Sequence, residues 1–182
     1  MKGLKKMDIY ERKKKIEDYR EQIALLEAEI EKLNPYGNLK NLSNKAFGEG
    51  WSEPYILEHC PSFTRVDAKG YDFTCQKFGK VEVKSTRLSC KQITFNQCHL
   101  YEADWFLFVE YDTENISENI FFVPSEDLKN TEFFSKSIQD NRSDEGCYTI
   151  SGTCQTNQKS LEKYRVASFE ALESLLQGGN CG

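Results

Sequence analysis

Apolar residues recur every seven positions over residues 7–33, and from residue 63 onward they mostly alternate with polar ones. Ile9, Ile16, Ile23 and Ile30 occupy one heptad position; Tyr19, Leu26 and Leu33 occupy the offset one, where Arg12 interrupts the row. This is the a/d pattern of a helix that pairs with another helix, and Ile at a with Leu at d favours a parallel dimer. The same pattern would also let a single amphipathic helix lie on its own domain. Pro35-Tyr36-Gly37-Asn38 ends the helix, because Pro and Gly do not continue it. Two units follow from this, an N-terminal coiled-coil-like helix over 1–34 and a domain over 35–182.

Leu39, Leu42, Ala46 and Phe47 have helical spacing, which Gly48 and Gly50 interrupt. Ser52-Glu53-Pro54 then reads as a fresh helix start, with Ser52 as N-cap and Pro54 in the first turn. The alternation predicts strands near 63–67, 71–76, 80–86, 104–111 and 119–123. Residues 93–102 read as a short helix and Pro124–Leu128 as a capped helical turn. Residues 135–160 are polar apart from a strand at 147–150. A strand at 164–167 and a helix capped by Ser168 and running to Leu176 complete the chain, with a loose tail.

Composition supports a sheet-containing fold. Of 182 residues, 38% are hydrophobic, including twelve Phe, nine Tyr and two Trp, and aromatic residues suit strands. This length holds one domain with a core plus an appendage. The apolar run Trp105–Val109 is too short to span a bilayer. The charged N-terminus lacks the apolar stretch of a secretory signal, so a cytoplasmic location is expected. The seven scattered cysteines contain no Cys-x-x-Cys pair and read as reduced thiols. Cys90, Cys98 and His99 match no common zinc spacing. Net charge is −5, but residues 1–20 carry eight Lys/Arg and four Asp/Glu, a net +4, against sixteen and twenty-five, a net −9, in the rest. An acidic body with a basic arm is compatible with DNA binding, because local potential guides the contact.

The candidate chemistry lies in Lys69-Gly70-Tyr71-Asp72-Phe73 and Lys80-Val81-Glu82-Val83-Lys84-Ser85-Thr86. Along a strand Glu82 and Lys84 share one face while Val81 and Val83 take the other, and Asp72 lies at hairpin distance. Alternating opposite charge is also an ordinary way to stabilise an exposed strand face. Two carboxylates and an ammonium on one patch are, equally, what metal-dependent phosphodiester hydrolysis requires. Asp72, Glu82 and the Val83 carbonyl offer hard oxygen ligands to Mg²⁺, with Mn²⁺ as a substitute. Lys84 would stand beside the attacking water and the scissile phosphate.

A helix bearing Glu, then Asp72, Glu82-Val83-Lys84, Gln97 and an apolar strand, over roughly residues 43–125, resembles the PD-(D/E)xK nuclease superfamily. Tyr71 stands where that family carries Pro. The resemblance implies a restriction-endonuclease-like α/β (α+β) fold, with a central mixed sheet of four to five strands flanked by helices. It also implies a helix-borne glutamate, Glu53 with Glu49 as rival, and a phosphate-contacting glutamine, Gln97 with Gln92 as alternative. Both would lie on helices, and metal binding would fall to Asp72 and Glu82.

Lys69, Arg87 and Lys91 flank the cluster and are candidate phosphate contacts, or solvated surface charge. Asn141 and Arg142 are candidate readers of base edges, or part of a surface loop. Tyr101 and Trp105 would stack on bases or, as is commoner for such residues, be buried. That His59 and His99 are the only histidines argues against histidine-metal nuclease folds and histidine-based phospholipid or phosphatase chemistry. The expected function is a Mg²⁺-dependent endonuclease of type II restriction type, acting on double-stranded DNA as a homodimer joined by the N-terminal helix. The alternatives are a repair or recombination nuclease, and a catalytically silent coiled-coil protein that binds nucleic acid or a partner.

Overall fold

The alternating segments assemble into one sheet whose central strands are buried on both faces. The computed structural model describes residues 8–87, 92–129, 147–153 and 161–178; for 92–97, 99 and 147–153 it describes the backbone alone. The strands are β1 (Thr64–Ala68), β2 (Tyr71–Cys75), β3 (Gly79–Arg87), β4 (Gln92–His99), β5 (Trp105–Asp112), β6 (Ser117–Pro124), β7 (Cys147–Thr153) and β8 (Arg165–Val166). Six of them form a sheet of order β1-β2-β3-β5-β6-β8, and β4 pairs with β7 in a separate two-stranded ribbon. Neighbours in the six-stranded sheet run antiparallel except β3 and β5, which are parallel from Val81↔Trp105 to Arg87↔Tyr111. The chain is therefore a mixed α/β fold.

Two apolar layers sandwich this sheet. On one face Phe73, Val81, Val83, Leu107, Val109 and Ile120 pack against the helices. These are α2 (Asn44–Phe47), α3 (Glu53–His59) and α5 (Phe169–Leu176). On the other face Phe106, Phe108, Phe121 and Val123 pack with Cys98, Leu100 and Leu128 of α4 (Ser125–Lys129). A strand buried on both faces reads as a continuous apolar run, which is what Trp105–Val109 is.

Three expectations need correction. Residues 92–99 form a strand, not a helix. Ile93 and Phe95 alternate with Thr94 and Asn96, and pairing with β7 supplies the backbone partners that such a strand needs. The main sheet has six strands rather than four or five, because β1 and the two-residue β8 extend its edges. Ser52 is not an N-cap: its backbone is helical, at φ −65° and ψ −46°, with no capping bond. A π-helical turn over Gly48–Ser52 bridges α2 and α3, so the glycines do not break the helical path. Ser168 does cap α5, accepting from the Ala171 N–H.

Helix α1 (Ile9–Leu33) contains no buried residue. It ends where Asn34 Nδ2 donates to the Thr113 carbonyl at 3.1 Å and the Asn34 side chain accepts from the Tyr36 N–H at 2.8 Å. No described helix is long and apolar enough to cross a membrane.

The β2–β3 turn depends on Gly79, at φ +74°, where an added Cβ would lie 2.4 Å from Asp104 Oδ2. Asp104 cannot yield freely, because Oδ2 accepts the Lys80 N–H at 2.9 Å. Gly79→Ala is expected to destabilise the fold by about 1–3 kcal/mol, read as a lower urea midpoint with an unchanged m-value.

Candidate active site

The sheet forks where the carboxylates gather. The β2–β3 ladder pairs Cys75↔Gly79, Thr74↔Lys80 and Phe73↔Val81 and goes no further. One residue beyond, the Asp72 side chain takes over as acceptor, with Oδ2 receiving the Val83 N–H at 2.7 Å. On its other side β1 shifts register between Arg65 and Ala68, opposite Asp72. Irregular pairing of this kind re-aims side chains and is common beside active sites. Both neighbours have let go of β2 at this point, which leaves the Asp72 carboxylate in an open cleft.

That cleft has a volume of about 680 Å³ and is lined by Glu49, Glu53, Arg65, Asp67 and Asp72, among others. The π-helical turn delivers the two glutamates. It is immediately followed by Glu53, 8% exposed, while Ser52 is turned into the core. There Ser52 Oγ meets Ser85 Oγ at 2.5 Å and the Tyr111 hydroxyl at 3.1 Å, a buried link between α3 and the two central strands. Such π-turns are frequent at functional sites.

Glu82 and Lys84 are the more enclosed members of the group and form an ion pair. Glu53 pairs with Arg65 at 3.0 Å. Arg65 was not foreseen; its signal was the lone arginine in the alternating run before the Gly70 turn. Glu49 is exposed and pairs with Lys45 at 3.6 Å, so of the two glutamates Glu53 is the one held inside the cluster.

The charges act on one another. Burial pushes the Glu82 carboxyl up to about 7; Lys84 opposes the rise, and Asp72 and Glu53 add to it. Burial and the Asp72 charge raise Glu53, against Arg65. Burial also raises Asp72, against the Val83 N–H and Lys84. For Lys84 burial works toward deprotonation, but Glu82, Cys98 and Asp72 together outweigh it and hold the ammonium above the ordinary lysine range. Three carboxylates raised by burial, with the Asp72 charge raising both glutamates, stand beside one protonated lysine and form a region that favours added positive charge. Among the described residues, no three His, Cys, Asp or Glu side chains stand together as a ready metal-binding group. Glu82 and Glu53 are instead held by Lys84 and Arg65. The oxygen donor set nevertheless suits a hard divalent cation.

A pH dependence follows for the metal-free protein. A carboxyl near 7 in the folded state and near 4.5 unfolded keeps its proton on folding across that interval. Stability therefore falls as pH rises from about 4.5 to 7, by roughly 3 kcal/mol at most. Glu53 and Asp72, also raised, act in the same direction. Urea denaturation in chelator at pH 5 and pH 7 is expected to show this slope, and Glu82→Gln to flatten it.

The remaining candidates fare differently. Arg87, a candidate phosphate contact, clamps the 39–44 segment: Nη1 donates to the Leu39 and Leu42 carbonyls at 2.6 and 2.9 Å, Nη2 to Asn44 Oδ1 at 2.9 Å. Its guanidinium also lies 4.8 Å from the Phe47 ring centroid. Lys69 is exposed in the β1–β2 turn, next to the cleft. Gln92 and Gln97 lie on strand β4 rather than on a helix, and their side chains lie outside the described residues. Lys91, Asn141 and Arg142 also lie outside them. Trp105 is half-buried and stacks on Phe122 at 4.7 Å, whereas Tyr101 is 66% exposed against the expectation of burial. Cys60, Cys75 and Cys98 are buried free thiols. No protein-family model matches this chain and no curated protein matches it, so the chemistry of these side chains is what speaks to function.

Proposed function

We propose that this chain is a Mg²⁺-dependent DNA endonuclease with a restriction-endonuclease-like site, cutting double-stranded DNA. The observation that carries the reading is the convergence of Glu53, Asp72, Glu82 and Lys84 at a forked β-hairpin beside an open cleft. Asp72, Glu82 and the Val83 carbonyl would hold the ion, with Glu53 beside them. When bound, it supplies positive charge to the phosphate and acidifies water. Lys84, kept protonated by its acidic neighbours, orients the attacking water and screens charge that builds on the phosphate oxygens. The Val83 N–H fixes the Asp72 carboxylate and so removes one reorientation from the reaction. Arg65 holds Glu53 and, being half-exposed, also faces an approaching backbone.

One observation favours a rival, a module that binds nucleic acid without cutting it: Glu82 is already paired with Lys84, and no ready metal group stands among the described residues. Plasmid DNA incubated with the protein and Mg²⁺ or Mn²⁺ separates the two. Cleavage that chelator abolishes is expected. Retained binding with no cleavage under either metal would establish the rival. Discrete fragments would support sequence-specific restriction, and a smear or preferential cutting of branched DNA would point to repair.

A further inference from the structure

A 25-residue helix with no buried residue needs an explanation, because in proteins most helical stability comes from packing an apolar face against a partner. Ile16, Ile23, Leu26 and Ile30 are each more than half exposed, and Leu33 is 83% exposed. The stripe is continuous and follows the heptad, so the natural occupant is another heptad helix. Charge along α1 says which one and in which direction. The positions flanking the stripe are Lys13, Lys15 and Arg20 in the first half and Glu27 and Glu29 in the second.

In a parallel in-register pair, Arg12 would meet Arg12 in the seam and Lys15 would face Arg20 on both sides. Reversing one helix removes these conflicts. With Ile16 set against Leu26 and Tyr19 against Ile23, every apolar a or d residue finds an apolar or arginine-stem partner. Ile9 meets Leu33, and Arg12 meets Ile30 near the ends, where its head can reach water. Lys13 then faces Glu27 and Lys15 faces Glu29, and each contact occurs twice by symmetry. One repulsion remains, Arg20 against Arg20 across the axis. We infer that α1 forms an antiparallel coiled coil with α1 of a second copy of this chain, in the register that sets Ile16 against Leu26.

The inference does not depend on nuclease activity. It does determine how two copies are arranged: the two Leu33 ends, where the domains begin, lie at opposite ends of a rod about 37 Å long. A parallel pair would place them side by side, about 10 Å apart.

Two experiments on the full chain test it. Ile16→Cys/Leu26→Cys is oxidised and its linked peptides are mapped by mass spectrometry, which separates the new bonds from the native thiols. The two positions are about 15 Å apart on one helix, too far for a bond within a chain. A dimeric mass with interchain 16-to-26 bonds is the expected result. Bonds of 16 to 16 and 26 to 26, or a monomeric mass at tens of micromolar, would overturn it. Separately, Lys13→Glu/Lys15→Glu should weaken the dimer roughly tenfold or more at low salt. Mixing that variant with Glu27→Lys/Glu29→Lys should restore pairing, since each 13-to-27 and 15-to-29 contact then joins opposite charges and only the Arg20–Arg20 repulsion, present in the native pair too, remains. A dissociation constant unmoved by the first double substitution would overturn the charge argument and the antiparallel assignment with it.

Discussion

Lys84→Ala is expected to slow DNA cleavage by roughly 10³-fold while changing DNA affinity only a few-fold. The ammonium is one small charge among many that an approaching duplex meets, so binding survives its loss. Cleavage is not expected to, because in the proposed reaction Lys84 would act where charge develops in the transition state, and interactions made only there appear in the rate. The fold should tolerate the change. Glu82, already raised by burial to about 7, takes up a proton more readily once Lys84 is gone and so avoids being stranded as a buried charge. Single-turnover cleavage beside a binding titration checks both halves. Equal loss of rate and affinity would indicate that Lys84 holds DNA rather than assisting the reaction.

Phe73→Ala is expected to cost about 3–5 kcal/mol of stability, the largest effect of any single substitution considered. Phe73 is fully buried and stacks obliquely on Phe63, with ring centroids 5.3 Å apart. It is also the last residue of β2 that pairs with β3, opposite Val81. The cavity would therefore open directly beneath Asp72, whose carboxylate accepts the Val83 N–H. Urea denaturation should show the lost stability. At temperatures where the variant remains folded, cleavage should also fall, because the fork is no longer rigid. A variant with near-normal stability would mean that Phe63 and its neighbours collapse into the space.

The two expectations touch the two paired strands of one hairpin, β2 and β3, and this explains how far the chain could be read directly. Asp72, Glu82 and Lys84 sit on a hairpin whose partners are about ten residues apart, so strand periodicity alone brings them together. The strands at 64–68, 71–75, 79–87, 105–112 and 117–124 follow from the same rule, since alternation records which side of each segment is apolar. Segment 92–99 carried that alternation too, in Ile93 and Phe95, but its partner β7 lies some fifty residues away. A short apolar run without a visible partner fits a helix as well as a strand.

Long-range packing decided the rest. Glu53 joins the cluster only because the Gly48–Ser52 π-turn carries the helix past two glycines. Ser52 becomes a core hydroxyl because Ser85 and Tyr111 stand across from it, and Arg87 becomes a clamp because the Leu39 and Leu42 carbonyls need a donor. The sequence by itself determined the strands, the exposed heptad helix and the Asp72–Glu82–Lys84 hairpin, since each is set by spacing within a short stretch. Only the tertiary structure decided which side chains meet that hairpin, since a residue's periodicity defines the face it lies on and not what comes to lie against it.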